Sequence, residues 1–218
     1  FYYKEGFDPD KNPVPRPQPC DFVIHYFQSA KNGIFLDVGA YDGITWSNSL
    51  PLEKYLGWSG LTVEPIDSMV DIIQKNRTAI IFHGCAWSYE GEVDFQEVEG
   101  YAQMLSGVPD TFVKNHSERI DNDIQSHGGK TFIRKAKCAP LSKMLNMLNT
   151  SHIDYISIDV ECGELEVLKG FDWDNHTATL ISLESNNYNT NDAENFLINK
   201  GYRPIAKVCN DIFYERVS

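Results

Sequence analysis

Five short, almost unbroken apolar runs recur along this chain: GIFLDVGA (33–40), SGLTVEP (59–65), TAIIFHGCA (78–86), IDYISIDV (153–160) and TATLISLES (177–185). A strand that is apolar at odd and even positions alike needs cover on both faces, which a half-solvated antiparallel sheet does not provide. The segments around the runs supply that cover, because LPLEKYLGW, DSMVDIIQKN, LSKMLNMLN, GELEVLKG and NDAENFLINKG all space their apolar residues as helices do. Pro51 is tolerated in the first turn of its helix, where no backbone donor is lost. Leu141, Met144, Leu145 and Leu148 fall at i, i+3, i+4 and i+7, the spacing of a core-packing face. Strands alternating with helices predict an α/β fold with a mostly parallel sheet, wound on both faces by right-handed crossovers.

The remaining segments sit around this unit. Residues 1–19 carry four prolines in their last seven positions and read as an extended arm. Residues 20–218 then form a single domain, since 218 residues with 42% hydrophobic content fill one sizeable core. A short helix is expected from Asp21, with Phe22, Val23, Tyr26 and Phe27 on one side and Asn32-Gly33 after it. The tail KVCNDIFYERV predicts an antiparallel hairpin turning at Asn210-Asp211. Gly100 to Lys130 is long and polar and fits no strand or helix of the repeat. It reads as an inserted flap over the strand ends, where open α/β sheets bind ligands.

Charge narrows the partners. Lys plus Arg total 19 against 31 Asp plus Glu, and the formal charge of −12 repels a phosphate backbone, so no nucleic acid is expected. The five cysteines (Cys20, Cys85, Cys138, Cys162, Cys209) are odd in number and form no CxxC pair, so neither a disulfide framework nor a zinc site is signalled. A reducing, cytoplasmic setting is the expectation; the sequons at Asn76, Asn115, Asn149 and Asn175 would suit a secretory lumen if they were used. No apolar run is long enough to span a membrane and no signal peptide is visible.

Three acidic stretches carry the chemistry. In FLDVGAYDG a strand enters Gly39-x-x-x-Gly43 ahead of a helix, a tight turn that lets backbone N–H groups approach a ligand. The spacing is not the GxGxxG of a nicotinamide site, and Asp37 and Asp42 would repel a pyrophosphate, so the turn suits a cationic ligand better. Glu64 ends the second run, where a carboxylate can accept both hydroxyls of a ribose; the duller reading is a capping or solvated acid before Pro65. SIDVECGELEVLKG places four acids within eight positions. Glu164 and Glu166 fall in a first helical turn, where acids suit the helix dipole. Asp159 and Glu161, two apart at a strand end, should point to one face and emerge at the cleft shared with Asp37 and Glu64.

GIFLDVGAYDGITWSNS, GWSGLTVEP, GCAWSYEGEVDF and IDYISIDVECGELEVLKG, in that order, with LISLESNN and the closing DIFYE, resemble the FkbM-type S-adenosylmethionine-dependent methyltransferases from about Asp21 onward. The resemblance implies a Rossmann-like class I methyltransferase fold, with seven strands and a C-terminal antiparallel one, and methyl transfer to oxygen. It implies that Asp37, Gly39, Ala40, Tyr41 and Gly43 line the methionine part of S-adenosylmethionine, with Asn48 nearby. Glu64 would hold the ribose, and Ala86 and Trp87 would lie near adenine. One departure stands out: where the family has DVEG, this chain has Cys162, with Gly163 one step later. If the turn needs a positive φ there, Cys162 is strained.

The expected activity is O-methylation of a small-molecule hydroxyl, a sugar or glycan being the acceptor that suits the family. A placed general base contributes about 10²- to 10⁴-fold. Asp159 is the first candidate, Glu161 orients the hydroxyl, and Glu184 ends the fifth strand beside them. No metal ion is called for. Asp159, Glu184 and Asn186 offer oxygens that could hold Mg²⁺, but hydrogen bonding to a polyhydroxylated acceptor is the preferred reading. His116 and His127 read as solvated flap histidines, and the basic GKTFIRKAK as a solvated strand face. The alternative function is a catalytically inactive module of the same fold that binds a glycan or protein partner.

Overall fold

A computed structural model describes residues 18–185 and 191–217. The arm expected over 1–19 lies outside the described residues except for its last two, and Pro19 already opens α1 (Pro19–Tyr26). The chain continues as β1 (Ile34–Val38), α2 (Leu50–Leu56), β2 (Ser59–Glu64), α3 (Asp67–Asn76), β3 (Ile80–His83), β4 (Cys85–Ala86) and β5 (Gly91–Gly100). It then forms α4 (Lys114–His127), β6 (Gly129–Ala139), α5 (Leu141–Leu148), β7 (His152–Ile158), α6 (Glu164–Lys169), β8 (Thr177–Glu184), α7 (Asp192–Asn199), β9 (Tyr202–Val208) and β10 (Asp211–Arg216).

Seven strands form one sheet in the order β3-β2-β1-β7-β8-β10-β9. The first five run parallel, while β10 pairs antiparallel with both β8 and β9. The apolar runs are continuous because both faces are covered. Leu36, Val38, Leu61, Ile156 and Ile181 pack on one face against Met144 and Leu145 of α5, Val167 and Leu168 of α6, and Leu197 of α7. Phe35, Tyr155, Leu180 and Phe213 pack on the other against Val23 of α1 and Leu52 of α2. Each such side chain contributes about 1.5–3 kcal/mol by leaving water. The strand order turns back between β1 and β7, so the carboxyl ends of β1, β2 and β7 open one crevice, where such sheets bind ligands.

Three local readings need correction. TAIIFHGCA is two strands: the chain leaves the main sheet at Gly84, and β4 joins a second sheet, β4-β6-β5. The C-terminal hairpin begins at Tyr202 and turns at Cys209-Asn210, one residue earlier than Asn210-Asp211. The flap exists between β5 and β6, but it is built, with two short 3-10 turns and α4 packed on a small core of Val98, Ala102, Leu105 and Ile120. GKTFIRKAK forms β6, and its charges are answered across the hairpin by Lys135–Asp94 at 2.8 Å, Arg134–Glu97 at 2.7 Å and Lys130–Glu99 at 3.1 Å.

Candidate active site

The crevice is a cavity of about 590 Å³, counting the part open to solvent. Gly39 and Tyr41 from the turn after β1, Glu64 to Ile66 after β2, and Gly84 to Trp87 line one side. Asp159 to Glu161 line another, and the flap closes the top with Gln103, Met104 and Ser106 to Val108.

Glu64 is the hinge of the first side. Its two carboxylate oxygens accept the Tyr41 and Ile66 backbone N–H groups, each at 2.8 Å. The acid therefore holds the turn after β1 against the start of α3, which includes the capping role weighed above. Burial raises its pKa to about 8, with the two N–H groups pulling the other way. Each oxygen keeps a second acceptor position for a ligand hydroxyl. Ile66, Trp87 and Phe95 supply the apolar wall beside it. Trp87 thus both packs in a core and faces the cavity.

The second side is a cluster of acids. Asp159, Glu161 and Glu184 bring one carboxylate oxygen each within 4.8 Å of one another. Strand alternation is not what aligns the first two, because β7 stops at Ile158 and Glu161 lies in a left-handed turn at φ 54°. The turn folds the Glu161 carboxylate back toward Asp159. Asp159 is exposed to the cavity, whereas Glu161 is buried. Enclosure by protein, then repulsion from Glu184 and Glu161, pushes the Asp159 pKa well above the carboxylate range. Its access to solvent makes the repulsion the firmer cause. Burial and then Glu184 push Glu161 upward too, opposed by Arg119. Glu166 bonds Ser88 and Lys169, as a helix-end acid should, but Glu164 is buried beside the cluster.

Five expected site residues, Glu184 and four others, lie outside the cavity lining. Asp37 faces the opposite way, where its carboxylate accepts the Ser49 and Ser47 hydroxyls and sits 3.8 Å from the Arg77 guanidinium. Ala40 donates its N–H to Val63 O at 3.1 Å, and Gly43 O accepts from Arg77. Asn48 donates to Asp211 Oδ2 at 2.8 Å and Ser157 Oγ at 3.2 Å, behind the acid cluster. These residues shape the turn from outside, while Gly39, Tyr41, Glu64, Ala86, Trp87, Asp159 and Glu161 line the cavity and Glu184 joins it through Asp159. Asn186 falls outside the described residues.

His116 corrects another expectation. It is fully buried in α4 with Nε2 3.1 Å from Leu105 O, so Nε2 donates and Nδ1 faces Glu161 Oε2 at 3.3 Å. Burial lowers its pKa. The signal was available: His116, Ile120 and Ile124 recur every four residues, a buried helix face. Arg77 had no such signal, since its partners Glu53, Gly43, Ser47, Ser49 and Asp37 come from three other elements and loops.

Residues 37–204 match the methyltransferase FkbM domain family. The chain belongs to the FkbM methyltransferase family. Among solved structures, the FkbM methyltransferase of Methylobacillus flagellatus KT superposes at a TM-score of 0.53 with 13% identity, covering 95% of this chain and 50% of that one. This FkbM domain therefore spans half the length of that relative, and at such identity the likeness speaks to the fold alone. A methyltransferase from Pyrococcus furiosus gives 0.44 at 10% identity over 90% of this chain and 81% of that one. A SAM dependent methyltransferase from Aquifex aeolicus gives 0.40 at 13% over 96% and 97%. A comparison with curated proteins finds no match.

S-adenosylmethionine is the cofactor that FkbM membership brings, and the residues fit it. Glu64 would offer acceptors to a ribose, the wall of Ile66, Ala86 and Trp87 would take adenine, and the turn at Gly39 and Tyr41 would receive the amino-acid portion close to backbone, all of them residues that line the cavity. The FkbM departure at Cys162 is real strain: it holds φ 80°, while Gly163 sits at an ordinary −93°. The glycine has not taken over the left-handed position. A Cβ at Gly163 would press on the Val160 side chain at 3.2 Å and on Trp87 at 3.3 Å, a tight contact that those side chains would have to yield to. Burial raises the Cys162 thiol to about 11, so it is no nucleophile. Cys162→Gly should raise stability by about 1 kcal/mol through relief of the left-handed strain, read by urea denaturation. A destabilised variant would show that the thiol packing outweighs the backbone.

Proposed function

We propose that this chain transfers a methyl group from S-adenosylmethionine to a hydroxyl oxygen of a small molecule, with a sugar or glycan as acceptor. The observation that carries the reading is one cavity with Glu64 on its cofactor side and Asp159 and Glu161 on another. Bound there, S-adenosylmethionine supplies an electrophilic methyl group on a positively charged sulfur.

The chain's own residues divide the work. Glu64 accepts the ribose hydroxyls and fixes the Gly39–Tyr41 turn through its hold on the Tyr41 N–H. Asp159 takes the proton of the acceptor hydroxyl, breaking its O–H bond as the oxygen becomes nucleophilic. Its raised proton affinity makes it a stronger base than an ordinary carboxylate, with a typical gain of about 10²- to 10⁴-fold. Glu161 and Glu184 accept hydrogen bonds from neighbouring hydroxyls, which favours a polyhydroxylated acceptor. Met104, Gly107 and Val108 of the flap shield the site from water.

Calorimetry with S-adenosylmethionine, S-adenosylhomocysteine and NAD tests this. Binding to the first two and not the third is expected, and Glu64→Ala should weaken both by more than about 1 kcal/mol. Unchanged affinity in that variant would remove Glu64 from the site. The strained Cys162 favours a second reading, a fold that binds partners without catalysis, and absence of binding to any of the three would establish it.

A further inference from the structure

We propose that Asp159, Glu161 and Glu184 bind one divalent cation of the Mg²⁺/Mn²⁺ class. The first observation is spacing. Oxygens bound to one such ion at about 2.0–2.2 Å lie roughly 3 Å apart when adjacent and 4.2 Å apart when opposite. The three carboxylates converge within 4.8 Å, and small side-chain rotations bring them onto one centre. Asp159 and Glu184 are close enough to share a hydrogen bond, which two carboxylates make only when one is protonated. A cation between them relieves the same repulsion without the proton.

The second observation is the state of the Glu161 carboxylate. His116 Nδ1 and Glu161 Oε2 are both buried and without a hydrogen-bond partner, although they face each other at 3.3 Å. The distance suits a hydrogen bond but the directions do not. A neutral ring that donates from Nε2 to Leu105 O presents a lone pair at Nδ1, so two acceptors confront each other at close range. Positive charge held by the Glu161 carboxylate relieves that opposition. Buried polar atoms left in this state cost about 1–3 kcal/mol each. The positive charge near them is Arg119, and Glu164 adds another acid next to Glu161.

Three carboxylates and no softer ligand suit Mg²⁺ or Mn²⁺. A carboxylate that ligates through one oxygen keeps the other to accept a hydrogen bond from an acceptor hydroxyl. The ion would also anchor acceptor hydroxyls, a purpose that rests on the methyl-transfer reading above. The binding itself does not, and is measured without cofactor or acceptor.

The experiment titrates the full chain with Mn²⁺ and follows free Mn²⁺ by electron paramagnetic resonance, with Mg²⁺ as competitor. One site per chain, displaced by Mg²⁺ and weakened at least tenfold in Asp159→Asn and in Glu184→Gln, is expected. Thermal melts of each variant show that it is folded, and if one is not, the other carries the comparison. Absence of Mn²⁺ binding by the wild-type chain, or binding unchanged in the folded variants, overturns the proposal. Loss of S-adenosylmethionine binding in the calorimetry above would instead remove the methyl-transfer reading and leave the cation site standing.

Discussion

Gly39→Ala should cost more than about 4 kcal/mol, enough to leave much of the protein unfolded given total stabilities of 5–15 kcal/mol. An added Cβ would lie 1.7 Å from the Asp159 carbonyl oxygen and 2.8 Å from its carbon, both backbone atoms that no rotamer change can move aside. Gly39 also sits at φ 85°, which would strain any other residue. The two effects can be separated, because Gly201 holds φ 84° with nothing within 4 Å of its added Cβ. Gly201→Ala should cost only the conformational part, about 1 kcal/mol. Urea denaturation of both variants gives the cost of the clash by difference. Equal losses would mean that the turns after β1 and β7 do not touch as described.

Arg77→Met should cost about 3–5 kcal/mol, because it removes one partner of buried charges and leaves the others uncompensated. The Arg77 side chain is wholly buried; it donates to Glu53 at 2.8 Å, to Gly43 O at 2.9 Å and to Ser49 at 2.8 Å, and lies 3.8 Å from Asp37. At about 2–4 °C per kcal/mol for a chain of this size, the melting temperature should fall by roughly 10 °C. The cofactor affinity should fall with it, since Arg77 ties the loop that follows the glycine turn to α2 and α3. Adding Asp37→Asn to Arg77→Met should cost less than the two single losses combined, by about 1–3 kcal/mol of coupling. Strict additivity would mean that Asp37 and Arg77 do not sense each other. Burial pushes the Asp37 pKa up and Arg77 pulls it back, so without the guanidinium Asp37 should retain its proton to higher pH.

The sheet was legible because burial on both faces writes itself into composition: the five apolar runs match β1, β2, β3 with β4, β7 and β8, and α2, α3, α5, α6 and α7 agree with the five helical runs within a residue or two, whereas α1 ends at Tyr26, well before Asn32-Gly33, and α4 lay unread in the polar flap. The second sheet was not legible, because the β5–β6 pairing depends on residues some forty positions apart, and β5 spaces its few apolar residues among acids. Glu64, Asp159 and Glu161 could be singled out from their places at strand ends. Asp37 reads as a site residue by the same logic, yet its carboxylate turns to Arg77, a partner that appears only after folding. The meeting of Asp159 and Glu161 was expected from strand alternation but is made by a left-handed turn that non-glycine residues rarely adopt. His116 could have been found from its spacing with Ile120 and Ile124 rather than from its place in a polar segment.

The β5–α4–β6 insertion carries its own small core and contributes the ceiling of the cavity, whereas the floor belongs to the seven-stranded sheet. The two surfaces of the cavity are thus written on different segments of chain. Substitutions at Gln103, Met104 or Val108 can therefore reshape the ceiling while the strand ends that make the floor keep their places.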